Sequence, residues 1–139
     1  MKRRELVSKI MSTNLITVNL TNNLVDAERL FNENSIRHIP VVSGDDIIGI
    51  LSLTDLLRVS FVDTYGSEEG NVDTAVYNML SIEQVMVKNL VSVTSAQTIK
   101  EVAEVLAKNE FHALPVVDNG KLVGIVTTTD LLNYLLEQY

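Results

Sequence analysis

Two segments of the chain have the hydrophobic spacing of an amphipathic helix. In each, apolar residues stand near positions i, i+3, i+4 and i+7, which places one apolar stripe along a helix. The two sets are Leu24, Ala27, Leu30 and Phe31, and Ile99, Val102, Ala103 and Leu106. We expect Thr21 and Ser95 to be the N-cap residues, because a hydroxyl oxygen can accept a hydrogen bond from the first-turn N–H groups.

Short apolar stretches before and after each predicted helix predict strands. Residues 15–18 and 90–93 form an extended stretch before the helix, and a hairpin follows it. In the second hairpin the turn contains Asn119-Gly120, which is typical of a type I′ turn, while the first hairpin has the looser signal Ser43-Gly44-Asp45-Asp46.

Another short helix is predicted after each hairpin, from Leu56 onward and from Leu131 to Leu136. Pro40 and Pro115 lack an N–H group, so we expect them at a strand start or a sheet edge. Each half of the chain therefore has the order β-α-β-β-α.

The chain repeats itself at an offset of 75 residues. Fourteen of the 48 positions in 10–57 are identical to their counterparts in 85–132, and no gap is needed. A long period with only two copies indicates a duplicated domain. We divide the chain into a first repeat over 1–58, a linker over 59–81 and a second repeat over 82–139. Within the linker, residues 65–71 are predicted to be a loop and 72–80 a linking helix.

Composition and charge narrow the classes of function. The chain has no Cys, no Trp and a formal net charge of −7. We therefore expect an aliphatic core and neither disulfides nor thiolate metal sites. The sequence has no basic stripe of the kind that binds a nucleic acid, and no apolar run reaches the roughly 18 residues that a membrane span needs. These features favour a cytoplasmic protein with no nucleic-acid contact, no membrane insertion and no metal or required cofactor.

The most similar stretches of the two halves are GILSLTDLL, from Gly49, and GIVTTTDLL, from Gly124. Each places a hydroxyl residue three positions before an aspartate at a predicted helix start. One interpretation is a capping box, worth about 1 kcal/mol per helix. The other is a binding site, because free N–H groups at a helix start attract anions and an aspartate can accept two hydrogen bonds from a sugar. The residues alone leave both open.

Several features together resemble a tandem pair of CBS domains, also called a Bateman module. They are Ile10-Met11 and Val85-Met86 before the first strand, the Pro-Val-Val strands at Pro40 and Pro115, and the G-h-x-[ST]-x-x-D motifs. The resemblance covers about Val7 to Tyr134. It implies an α/β (α+β) fold of two β-α-β-β-α repeats related by pseudo-two-fold symmetry, with the sheets packed together and the helices outside. It also implies clefts between the repeats that bind adenosine nucleotides.

By this resemblance each half contributes an equivalent set of ligand-binding residues. Ribose and phosphate would contact Ser52, Thr54, Asp55, Thr127, Thr129 and Asp130. Phosphate candidates are Arg37, His38 and His112, with Lys121 as a further cation, whereas Ala113 replaces the basic residue in the second half. Adenine would lie against Ile16, Thr17, Val91 and Ser92.

The function implied is that of a regulatory module for energy sensing. We expect AMP or ADP as the ligand before a multiply charged one such as ATP, because few cations lie near the motifs of an acidic chain. S-adenosylmethionine is a further candidate. We expect no catalytic activity, since there is no Cys nucleophile, no His-rich metal spacing and no G-x-S-x-G motif. A homodimer and a regulated partner protein are also expected. The alternative is a self-associating or partner-binding scaffold that has lost its ligand.

Overall fold

The computed structural model describes residues 4–64, 79–109 and 111–139. Within them the fold is mixed α/β with two small antiparallel sheets, as the sequence predicts. The helices are α1 Leu24–Asn34, α2 Leu53–Thr64, α3 Ile82–Val85, α4 Ile99–Asn109 and α5 Thr128–Glu137, the strands are β1 His38–Ser43, β2 Asp46–Ser52, β3 Ala113–Asp118 and β4 Lys121–Thr127, and a 3-10 turn covers Val7–Lys9. The predicted loop over 65–71 and residues 72–78 of the predicted linking helix lie outside the described residues.

The two hairpins have the same register and the same irregularity. The pairing of β1 with β2 shifts after Val41, which leaves Ile48 as an extra residue. The pairing of β3 with β4 shifts after Val116, which leaves Val123 extra. A bulge at the same place in both copies bends the strand just before the glycine of each repeated motif.

The turns of the two hairpins differ as their sequences predict. Asn119 and Gly120 both have positive φ, at 52° and 80°, which is the signature of a type I′ turn. In the first hairpin Gly44 has a φ of 63° and Asp45 does not have a positive φ, which is the pattern of a type II′ turn.

The first predicted strand of each repeat is reduced to a single parallel bridge. Val18 bridges to Val41, with the Val18 N–H donating to the Pro40 carbonyl at 3.1 Å. The next bond of a parallel ladder would run from the N–H of residue 40 to the carbonyl of Ile16, and proline cannot supply it. Val93 and Pro115 repeat this arrangement. The prolines therefore lie inside strands but on the edge where the ladder ends.

The compact units do not follow the sequence repeats. One unit combines Met1–Leu15 with Val91–Tyr139, and the other contains Ile16–Leu90. The opening segment of each repeat thus packs on the sheet of the other repeat. Ser12 exchanges two backbone hydrogen bonds with Ile125, at 2.8 and 3.0 Å.

The same exchange occurs in the unit Ile16–Leu90. There Val87, the counterpart of Ser12, exchanges backbone bonds of 2.9 and 3.0 Å with Ile50.

Gly49 and Gly124 permit these close approaches. A Cβ at Gly49 would overlap the Met86 sulfur and lie 2.9 Å from its Cγ. A Cβ at Gly124 would lie 2.8 Å from the Met11 sulfur and 3.1 Å from its Cγ. The opening methionines and the motif glycines are therefore packing partners, and the need for space explains why glycine occurs in both repeats.

Each unit has its own core of aliphatic residues, with one Phe in the first set. The buried residues that cluster together are Val18, Leu24, Ala27, Phe31, Ile39, Val41, Leu51, Leu56 and Ile82 in Ile16–Leu90, and Val7, Val93, Val102, Leu106, Leu114, Val116 and Val126 in the other unit. The prediction of an aliphatic core is confirmed. Ile82 and Val7 belong to the exchanged segments, so each core is completed by a segment from the other repeat.

The predicted N-caps of α1 and α4 are wrong. Asn23 caps α1, where its side chain accepts from the Asp26 N–H and Asp26 accepts from the Asn23 N–H. Thr98 caps α4 in the same way with Glu101, at 3.0 and 3.1 Å. The error arises because several hydroxyl and amide residues precede each helix, and of these Asn23 and Thr98 stand three positions before the acidic residue of the first turn.

Candidate functional site

In both repeats the last strand leads directly into a helix. Ser52 ends β2 and Leu53 begins α2, while Thr127 ends β4 and Thr128 begins α5. We call the two places the first junction, residues 52–55, and the second junction, residues 127–130. Each junction places the N-terminus of a helix at one end of a hairpin.

At the first junction the hydroxyl residue caps the helix. The Ser52 Oγ accepts from the Asp55 N–H at 3.0 Å, and both side chains are half-buried. Thr54 is exposed. The Asp55 carboxylate faces the guanidinium of Arg58, with 3.5 Å between Oδ1 and Nη1. The side chain of Asp55 is 25% exposed and that of Arg58 is 70% exposed, so this ion pair lies in solvent.

Two more basic residues lie beside the first junction. The Leu53 N–H donates to the Arg37 carbonyl at 2.8 Å, and His38 is directly opposite Ser52 in the sheet. Arg37 is exposed and His38 is half-buried. The structure therefore places the backbone of both predicted phosphate candidates of this half at the start of α2.

At the second junction a complete capping box is present. The Asp130 N–H donates to the Thr127 Oγ at 3.1 Å, and the Thr127 N–H donates to the Asp130 Oδ2 at 2.9 Å. Thr129 is exposed, and Asp130 is half-buried. The capping interpretation of the motif is thus confirmed here, and one carboxylate oxygen is already bonded within the chain.

The surroundings of the second junction carry less positive charge. The Thr128 N–H donates to the His112 carbonyl at 3.0 Å, which places the exposed His112 where Arg37 lies in the first half. Ala113 is opposite Thr127, and Asn133 occupies the position of Arg58.

The adenine-lining candidates lie toward the same end of each sheet as the junctions. Val18 forms a parallel bridge with Val41 in β1. The residues before it, Ile16 and Thr17, therefore lie toward the start of β1, which is the end of the sheet that contains Ser52. Val91 and Ser92 have the same relation to Thr127 in the second repeat. Ile16 and Thr17 are half-buried, whereas Val91 and Ser92 are exposed.

One predicted cation lies elsewhere. Lys121 is opposite Asp118 in the strand register, at the turn end of the hairpin, whereas Thr127 is at the other end of β4. Six strand steps of about 3.3 Å separate them, or roughly 20 Å. Lys121 is therefore not a phosphate ligand of the second junction.

Arg58 is the residue of the first junction that the sequence reasoning missed. Its signal was present, because a basic residue three positions after an aspartate on a helix lies on the same face. Among the described residues, no group of three or more His, Cys, Asp or Glu side chains has the arrangement of a metal site. None of the helices in the described ranges combines the length and apolar character that a bilayer span requires.

The CBS domain family model matches residues 7–61 and 82–137. The chain belongs to this family and carries two CBS domains as a tandem pair.

Relatives occur both as short proteins and as parts of longer ones. A CBS domain-containing protein of Dictyostelium discoideum is 31% identical over 134 residues, which cover 95% of this chain and 92% of that protein. An uncharacterized protein of Methanocaldococcus jannaschii is 27% identical over 131 residues, 94% of this chain and 47% of that protein. A homoserine O-acetyltransferase of Methanosphaera stadtmanae is 27% identical over 91% of this chain, which spans 23% of the enzyme.

Solved structures share the fold. The CBS domain pair of protein MJ0100, in complex with 5′-methylthioadenosine and S-adenosyl-L-methionine, has a TM-score of 0.79 and 24% identity, covering 96% of this chain and 98% of that one. The protein CBSX2 in complex with AMP has a TM-score of 0.77 and 23% identity, with the same coverage.

Proposed function

We propose that this CBS pair is a non-catalytic regulatory module that binds an adenosine-containing ligand at its strand-to-helix junctions. AMP or ADP is the favoured ligand, with ATP or S-adenosylmethionine as further candidates. The observation that carries the proposal is the first junction, where Asp55 and Ser52 lie at a helix start beside Arg37 and His38. The AMP, methylthioadenosine and S-adenosylmethionine complexes of two proteins with this fold support the ligand class.

The chemistry of the junction suits a nucleotide. A carboxylate can accept a bond from each hydroxyl of a ribose, while the N–H groups of the helix start and nearby cations favour a phosphate. Ile16 and Thr17 would contact the base. Proline at position 40 also leaves the Ile16 carbonyl without a ladder donor, so that this carbonyl can accept from an adenine amino group.

Thermal unfolding with added ligand tests the proposal. A ligand at 100 times its dissociation constant stabilises the folded chain by about 2.7 kcal/mol, which raises the melting temperature by several degrees. We expect this rise with AMP or ADP, a smaller one with GMP, and a loss of the rise in the double variant Asp55→Asn, Asp130→Asn. Asparagine keeps an oxygen for capping, so this variant should fold. No shift with any adenosine compound at millimolar concentration would contradict the proposal.

A second candidate function is self-association. Leu57 on α2 and Leu132 on α5 occupy equivalent positions, and they are 55% and 54% exposed. Leu136 on α5 is 71% exposed. Large exposed apolar side chains favour protein contact. Sedimentation equilibrium of Leu57→Glu and Leu132→Glu tests it, because a dimer built on these helices should dissociate in at least one variant. A homodimer, a regulated partner protein and a cytoplasmic location remain predictions.

A further inference from the structure

We infer, resting on the proposed function, that the two junctions select ligands of different charge. The first junction takes an adenosine ligand with a phosphate group. The second takes an adenosine-type ligand without one. Arg58 is the residue that sets this difference, through its position beside Asp55.

The charges around the junctions differ at three equivalent positions. At the first junction the Arg37 carbonyl accepts a helix-start N–H, His38 lies opposite Ser52, and the Arg58 guanidinium faces Asp55. At the second junction these positions hold His112, Ala113 and Asn133. The two arginines carry guanidinium groups that stay charged at any physiological pH, and neither has an arginine at the equivalent position of the second half.

The Asp55–Arg58 pair is suited to exchange partners. Its 3.5 Å separation and the 70% exposure of Arg58 mark a weakly held ion pair. On a helix, side chains lean toward the N-terminus, so that Arg58 points back toward the junction. When ribose hydroxyls occupy the Asp55 carboxylate, the guanidinium remains next to the ligand. A guanidinium fork then matches two phosphate oxygens.

The second junction lacks the means to hold a phosphate. The Asp130 carboxylate accepts the Thr127 N–H, so one of its oxygens is already bonded within the chain. Asn133 supplies no positive charge to offset Asp130. A phosphate dianion approaching there meets a carboxylate within a chain of net charge −7, whereas adenosine itself meets no such repulsion.

Isothermal titration with AMP and adenosine, which differ only in the phosphate, tests the inference. Asp130→Asn weakens the second junction and leaves the first, while Asp55→Asn does the reverse. In Asp130→Asn we expect AMP to bind about tenfold more tightly than adenosine, the effect of one charge-assisted contact. In Asp55→Asn we expect AMP to bind no better than adenosine.

Exchanging the residue three positions after each aspartate assigns the effect to Arg58. In the Asp130→Asn background, Arg58→Asn should reduce AMP affinity about tenfold and change adenosine affinity less than twofold. In the Asp55→Asn background, Asn133→Arg should raise AMP affinity at the second junction. Arg29→Asn is the matched control, because Arg29 lies 3.6 Å from Asp26 with the same i,i+3 spacing on α1. It should alter neither affinity.

The outcomes separate the inference from the proposed function. If neither AMP nor adenosine binds the wild-type chain at millimolar concentration, the proposed function itself fails. If both bind, but the ratio of their affinities is the same at the two isolated junctions or unchanged by Arg58→Asn, the inference fails and the proposed function stands. A circular dichroism spectrum of each variant confirms that it is folded.

Discussion

The first and second junctions have the same motif and the same backbone path but use their aspartates differently. Asp130 closes a capping box with Thr127, whereas the Asp55 carboxylate is engaged by Arg58. In both junctions the hydroxyl residue caps the helix by accepting the N–H of the aspartate. The charged residues beside the two junctions differ, and we propose that this difference makes the two halves bind different ligands despite their similar sequences.

The largest effect on stability is expected where the two halves are most alike. Gly49→Ala and Gly124→Ala each force a Cβ against the opening methionine of the other repeat, which should cost about 1–3 kcal/mol. Gly49→Ala should be the more damaging, because the added Cβ would be closer to Met86 than its counterpart would be to Met11. Urea unfolding of both variants provides the measurement. Equal stability to wild type in both would show that the exchanged segments do not pack as described.

A smaller effect distinguishes the aspartates. Asp130→Ala removes the partner of the Thr127 N–H and should lower the free energy of unfolding by about 1 kcal/mol. Asp55→Ala loses an exposed ion pair and should cost about half as much or less. Asp130→Asn keeps an acceptor oxygen and serves as the control. A larger loss of stability in Asp55→Ala than in Asp130→Ala would contradict the assignment of the capping role to Asp130.

The two repeats also differ in how their stability should depend on pH. Ser95 bonds through its hydroxyl and its N–H to Asp118, while the equivalent residues of the first repeat are Leu20 and Ser43. The hydroxyl bond, with help from the N–H, lowers the pKa of the Asp118 carboxyl from its ordinary 3.8. This contribution is therefore present above pH 4 and is lost as the pH falls through the lowered pKa.

Urea unfolding at several pH values checks this effect. Ser95→Ala should be less stable than wild type at pH 7, and the difference should shrink below about pH 4, the ordinary Asp range. Ser43→Ala is the control and should show no such trend. A constant difference for Ser95→Ala across pH would contradict the assignment to Asp118.

The sequence predicted the hairpins and helices well because their signals are local. Asn119-Gly120 requires a turn of one type, and the apolar stripe of α4 requires a buried face. It did not predict the exchange of opening segments. The repeat shows that Met11 and Met86 are equivalent residues but not which sheet they contact. The single parallel bridges could have been deduced, because Pro40 and Pro115 cannot donate to a second rung.

The candidate site was predicted in its composition and only partly in its geometry. Asp55 and Asp130 were both expected to face a ligand, and nothing in their common motif distinguishes the closed capping box from the ion pair. That difference depends on Arg58 and Asn133, three residues further along each helix. Lys121 was wrongly expected near the second junction because it is only six residues from Thr127 in sequence. An extended strand separates those six residues by roughly 20 Å.

Amide chemical shifts measured during an adenosine titration test the central claim most directly. We predict that the largest shifts fall at residues 52–55 and 127–130, with smaller ones at 16–17 and 91–92. Repeating the titration with AMP should strengthen the response at 52–55 alone. Largest shifts on the leucine-bearing face of α5 at 132–136, or no shifts at millimolar ligand, would contradict the account.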